Sequence, residues 1–172
     1  MRSSLRALIV LFAVALLCAG VAVAPAAAGQ RLANDASLLR LINETRTRHH
    51  LRTVRLNAAL TKAALGHAHD MMQHDYFSHS SPGGGDCLSR ARHAGYRTTG
   101  CTSWAVSEVI AWGMGTLGDP HAVFESWMKS PYHRSIILGS RWRDAGVGSV
   151  SGTFRGVSGS LMYTIDFGCR SR

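Results

Sequence analysis

Apolar residues follow three different rhythms along this chain. Residues 7–17 form an unbroken apolar run behind Arg2 and Arg6. From Leu38 onward the apolar positions recur every three or four residues, which places them on one face of a helix. Leu38, Leu41, Ile42 and Thr45 form one such set, and Leu60, Ala64, His67, Ala68 and Met71 form a second that is apolar apart from the histidine. Near the end the period drops to two, with Leu161, Tyr163, Ile165 and Phe167 alternating with Met162, Thr164 and Asp166, as in a strand.

Polar residues at the edges of these sets act as start and stop signals. Asn34 and Asp35 cap a first helix running to about His49, and Asn57 caps a second running to about Gln73. Pro82 and three consecutive glycines end the helical pattern, and Asp86 opens a short helix carrying Leu88 and Ala91 up to Gly95. Asp119-Pro120 is the sharpest start in the chain, because proline at the first helical position lacks only an N–H that would be unpaired anyway. Val123, Phe124, Trp127 and Met128 supply the buried face of that helix. Pro131 disfavours helical geometry at Ser130, so the chain turns there and presents Tyr132 and His133 at the start of a short segment through Ile137. Residues 147–151 pair antiparallel with the last strand across a turn at 152–159, and a further strand covers residues 106–112. Helices first and strands last give an α+β layout with the sheet covered by helices.

The opening run changes where the protein is expected to work. Two arginines, an apolar stretch and Ala26-Ala27-Ala28 form a signal-peptide pattern, with cleavage after Ala28 leaving residues 29–172 as one domain. Retention as a membrane anchor is the alternative. Lipidation at Cys18 is disfavoured by Leu17, which stands where a small residue is expected. The formal charge is +9, and removing the leader takes two arginines and no acids, leaving +7. A surplus of that size favours anionic partners such as a cell wall or an acidic membrane surface, with solubility the plainer explanation. Arg40, Arg46, Arg48, Arg52 and Arg55 form a basic stripe near the first helix, but no nucleic-acid module accompanies it and a solvated face is the expectation.

Export also changes the meaning of the cysteines, since suitably placed thiols pair outside the cell. After loss of Cys18 the chain keeps Cys87, Cys101 and Cys169. Cys87 and Cys101 bracket a short loop whose closure contributes about 3 kcal/mol in the chain-entropy model, and they are the expected pair. Cys169 is then left free, to dimerise an otherwise monomeric protein, or to compete for one of the other two. No paired short cysteine spacing supports a zinc ribbon.

Several motifs, taken together, resemble bacterial members of the CAP superfamily, which unites cysteine-rich secretory proteins, venom antigens and plant pathogenesis-related proteins. They are His69-Asp70-Met71, Tyr76 through Pro82, Glu108 before Ile110-Ala111, Trp127 through Arg134, Gly146-Val147-Gly148, and Tyr163 through Gly168. The resemblance covers about Leu38 to Gly168 and implies a three-layer α-β-α sandwich. It also implies a cavity lined by two histidines and two acids that binds a divalent cation such as zinc in several members. By motif position the histidines are His79 and His133 and one acid is Glu108. The second acid has no match, because Met128, Lys129 and Ser130 follow Trp127, and Glu125 is the substitute on offer although it faces away. Ser107 and Tyr132 stand where the bacterial pattern has glycine, and Tyr132 narrows the cavity mouth or adds a hydroxyl to it.

Three functions are open to such a cavity. In the first, it is a binding module for a lipid, a sterol or a cell-envelope fragment. In the second, His79 and His133 hold zinc and Glu108 is the third ligand or the general base of a peptide or ester hydrolysis, with a metal-activated water as nucleophile. In the third, the histidines are structural, their ring nitrogens bonded to Glu108 and nearby backbone. The missing second acid favours binding over catalysis. No G-x-S-x-G elbow supports a serine triad, and His67 and His69 point about 200° apart on their helix and do not chelate together.

Overall fold

The computed structural model describes residues 24–97 and 103–171. Most of the expected leader, with Cys18, lies outside those residues, as does Cys101 and therefore the expected Cys87–Cys101 bridge. Among the described residues Cys87 and Cys169 are free thiols, and no helix is long and apolar enough to cross a membrane.

The elements follow one another as α1 (Ala24–Arg48), β1 (Arg55–Leu56), α2 (Ala58–Gln73), α3 (Cys87–His93), β2 (Ser103–Met114), a 3-10 turn (Gly115–Gly118), α4 (Pro120–Lys129), α5 (Pro131–Ile137), β3 (Asp144–Phe154) and β4 (Val157–Ser171). Three caps stand where the sequence placed them. Asn57 accepts from the amides of Ala59 and Leu60, Asp86 from Ser89, and Asp119 from His121. The first helix differs, because it starts about ten residues early, through the alanine-rich segment that favours helix. Asn34 and Asp35 therefore sit inside α1 and reach across the molecule. Asn34 donates to the Tyr163 hydroxyl at 3.4 Å, and Asp35 accepts from Ser149 at 2.6 Å.

The sheet order is β1-β3-β4-β2, with β1 parallel to β3 and the other pairs antiparallel. The β3–β4 connection is tighter than expected. Both strands run on to a two-residue turn at Arg155 and Gly156, whose φ values of 49° and 78° suit a type I′ hairpin.

Both faces of the sheet are covered, giving three layers. Tyr163, Ile165, Phe167, Val109 and Val147 pack with α1, α4 and α5 around Trp127 and Leu38, and Met162 and Ile110 pack against Met71 and Met72 of α2. Gly146 and Gly148 bring α2 close to the sheet, because a Cβ at either position would collide with the α2 backbone at Leu60–Thr61 or Ala64–Leu65. Trp127 is 2% exposed and its indole N–H donates to the Ile110 carbonyl at 3.0 Å, fixing α4 against β2. Because α5 follows α4 directly, that contact also sets where His133 stands.

Candidate functional site

Residues of α2, α3 and β4 and of one loop converge on Glu108. It lies on β2, is 4% exposed, and faces the α2 side of the sheet. One oxygen accepts from His79 Nδ1 at 2.7 Å and the other from Arg90 of α3 at 2.7 Å. Arg90 also donates to the His79 carbonyl at 2.9 Å, so the loop carrying His79 is held through both backbone and ring. From α2, His67 donates through Nε2 to the Ser78 carbonyl at 2.9 Å and stands 3.8 Å from Glu108.

His79 turns its Nδ1–H to the carboxylate, so Nε2 is the ring nitrogen outside that bond. Its side chain is 46% exposed, in contrast to the 1% exposure of the Glu108 side chain. His133 feels the same neighbourhood: burial lowers its pKa, and the charge of His79 lowers it further. His67 is also held below the ordinary imidazole range by burial, against the opposing pull of Glu108, and is neutral at pH 7. Tyr132 lies at the rim, 64% exposed, with its ring edge-on to His133 at 5.6 Å.

Behind Glu108 stands a carboxyl that sequence reasoning did not assign to the site. Asp166 is directly opposite on β4, fully buried, and neither of its oxygens has a donor. Burial raises its pKa well above the ordinary range and the charge of Glu108 raises it again. The Cys87 thiol sits against the same pair; its pKa is pushed up to about 12 by burial first and by the two carboxyls next. It is a neutral packing group and not a nucleophile.

Of the residues singled out from the sequence, His79, Glu108, His133 and Tyr132 belong to one neighbourhood. Glu125 is exposed on α4 and bonds to none of them. Arg90, His67 and Asp166 were missed. His67 had a signal, as the one polar residue on the buried face of α2, whereas Arg90 had none.

A divalent cation can be tested against these donors. Glu108 is engaged on both oxygens, and among the described residues no group of three metal-ligating side chains forms. The imidazoles of His79, on the loop after α2, and His133, on α5, are donors of the right type for a cation. They fall short of the three protein ligands of a catalytic zinc site.

Comparisons with known proteins agree with this architecture. The sequence model of the CAP family, described as the cysteine-rich secretory protein family, matches residues 39–167. The uncharacterized Bacillus subtilis protein YkwD is 32% identical over 120 residues, which are 69% of this chain and 43% of that protein. The uncharacterized membrane protein YlbC of the same organism is 30% identical over 117 residues, 67% of this chain and 31% of its own length. The chain thus spans less than half of either curated relative. Among solved structures, an extracellular Bacillus anthracis protein containing an SCP domain is similar at a TM-score of 0.69 and 25% identity, covering 87% of this chain and 44% of that one. An outer surface protein from Borrelia burgdorferi shares the fold at a TM-score of 0.65 and 18% identity, over 80% of this chain and 93% of its own.

Proposed function

The chain belongs to the CAP, or cysteine-rich secretory protein, family in its bacterial SCP-like form, and from that premise we propose that it is an exported binding module. Its His79/His133 cavity captures the polar part of a lipid, sterol or other cell-envelope ligand. The observation that carries this is the saturation of Glu108. With one oxygen taken by His79 and the other by Arg90, the carboxylate orients an imidazole instead of waiting as a free general base. Catalysis by Glu108 would require it to give up a buried ion pair, whose loss is costly. The Nε2 of His79 is left for a ligand, beside a second, neutral imidazole.

Export is supported by the Arg2/Arg6 leader pattern and by the extracellular description of the Bacillus anthracis neighbour. A second form of the same reading is a divalent cation between the two imidazoles. When bound there it would supply a positive centre for an anionic headgroup, and His79 and His133 would hold it while Glu108 fixes His79 from behind.

Cosedimentation of the purified domain with vesicles of extracted envelope lipid and with purified cell wall, beside a His79→Ala/His133→Ala double variant, tests the function. Retention by one of these materials, lost in the double variant with circular dichroism unchanged, is expected. Turnover of a peptide or ester that disappears in His79→Ala would overturn it.

A further inference from the structure

The end of the molecule where α1 and α5 finish is built from two arginine-rich segments, residues 46–55 and 134–143. Arg46 joins them. It is 0% exposed, and it donates to the carbonyls of Arg52 at 2.9 Å, Ile137 at 2.6 Å and Gly139 at 3.1 Å. It was expected on a solvated stripe, but three backbone carbonyls draw it inward. The Arg55 amide donates to the Arg143 carbonyl at 2.9 Å, and Arg134 lies 3.4 Å from His49, so the segments also meet at the surface.

Five arginines of these segments are exposed: Arg48, Arg52, Arg55, Arg134 and Arg141. Within residues 40–55 and 134–143 the one acid is Glu44, and Arg40 already pairs with it at 2.9 Å. Among the described residues no carboxylate pairs with Arg46 either, and its Nη2 is buried without a partner. A buried cation with no counter-ion, itself poorly screened by water, adds to the positive potential of the surface above it. A depression of about 570 Å3 opens beside this surface, lined by Arg40, Asn43, Glu44, Thr47, Arg48 and Thr53.

We propose that this arginine-rich end binds a linear, phosphate-bearing polymer of the cell envelope. Guanidinium groups match phosphate oxygens in a planar, two-point geometry, and several exposed arginines spread along two segments suit a chain of phosphates better than one ion. The depression, whose lining is hydroxyl, amide and guanidinium apart from Glu44, which Arg40 already pairs, favours a chain that enters it over a flat lipid surface. The surface shares no residue with the His79/His133 site, although Arg134 follows His133 on α5, and the proposal does not depend on that function.

The test is binding of a linear polyphosphate by the whole domain at several salt concentrations, beside an Arg48→Gln/Arg52→Gln/Arg55→Gln variant and a His79→Ala variant. Inorganic phosphate and anionic phospholipid vesicles are the comparison probes. Loss of three phosphate contacts is expected to flatten the log–log salt slope by about 2 and to weaken binding at least roughly tenfold at low salt. Arg→Lys at the same three positions keeps the charge and is expected to restore the salt slope. His79→Ala should bind as the parent does. Unchanged binding by the glutamine variant, or binding to the vesicles as strong as to polyphosphate, would overturn the proposal.

Discussion

Glu108 and Asp166 occupy directly opposed positions on β2 and β4, both buried, and the donors His79 and Arg90 both go to Glu108. The two carboxyls divide their roles by environment. Glu108 is paired with Arg90 and His79, whereas burial first and the neighbouring carboxylate next push the pKa of Asp166 well up.

This division gives a pH dependence. The folded-state pKa of Asp166 is raised above the unfolded value of 3.8, so its stabilising share is full below that value and is lost as pH rises through the folded pKa. Each pH unit between the two pKa values removes about 1.4 kcal/mol. Asp166→Asn cannot ionise. Urea unfolding at pH 4, 6 and 8 should show a flatter stability profile than the parent, and an equally steep decline would show that Asp166 is not the group responsible.

The Arg90–Glu108 pair is expected to be costly to break singly. Arg90→Met leaves a carboxylate that is 1% exposed without its cation, a loss of about 3 to 5 kcal/mol for a buried pair. Arg90→Met/Glu108→Leu removes both charges and should recover much of that. A double-mutant cycle by urea unfolding measures the coupling, and additive losses would mean the pair is not a unit.

His133 reports on His79. Burial and the charge of His79 both hold its pKa below 6.5, so His79→Ala should raise it partway towards that value, burial remaining. Histidine NMR titration reads this directly. An unmoved His133 would separate the two rings.

Trp127 anchors the corner that presents His133. Trp127→Ala should cost about 3 to 5 kcal/mol, the range for truncating a large buried aromatic. Calorimetric melting measures it, and a loss below about 1 kcal/mol would be out of keeping with its burial.

The parts of the fold legible in the sequence are those that local chemistry decides. Asn57, Asp86 and Asp119 cap the helices they announce, because each cap is a bond to an amide two or three residues on. β1 was not legible. Arg55 and Leu56 are a strand only because β3 lies alongside. Arg155 gave no hint of the left-handed conformation that makes a two-residue turn. At the site, His79, His133 and Glu108 were recognisable by motif, whereas Arg90, His67 and Asp166 join them through packing of α3, α2 and β4 over β2. Arg46 shows the same limit, since its acceptors at Ile137 and Gly139 come from a distant segment.

The central claim is that Glu108 holds His79 so that it and His133 form one ligand site. Imidazole NMR of the histidine-labelled domain during a zinc titration at neutral pH, with His79→Ala and His133→Ala alongside, tests it most directly. The account predicts that the His79 and His133 resonances shift together along one saturable curve, that buried His67 does not follow, and that either substitution abolishes the response of the other ring. Independent curves for His79 and His133, or no shift at either, would contradict it.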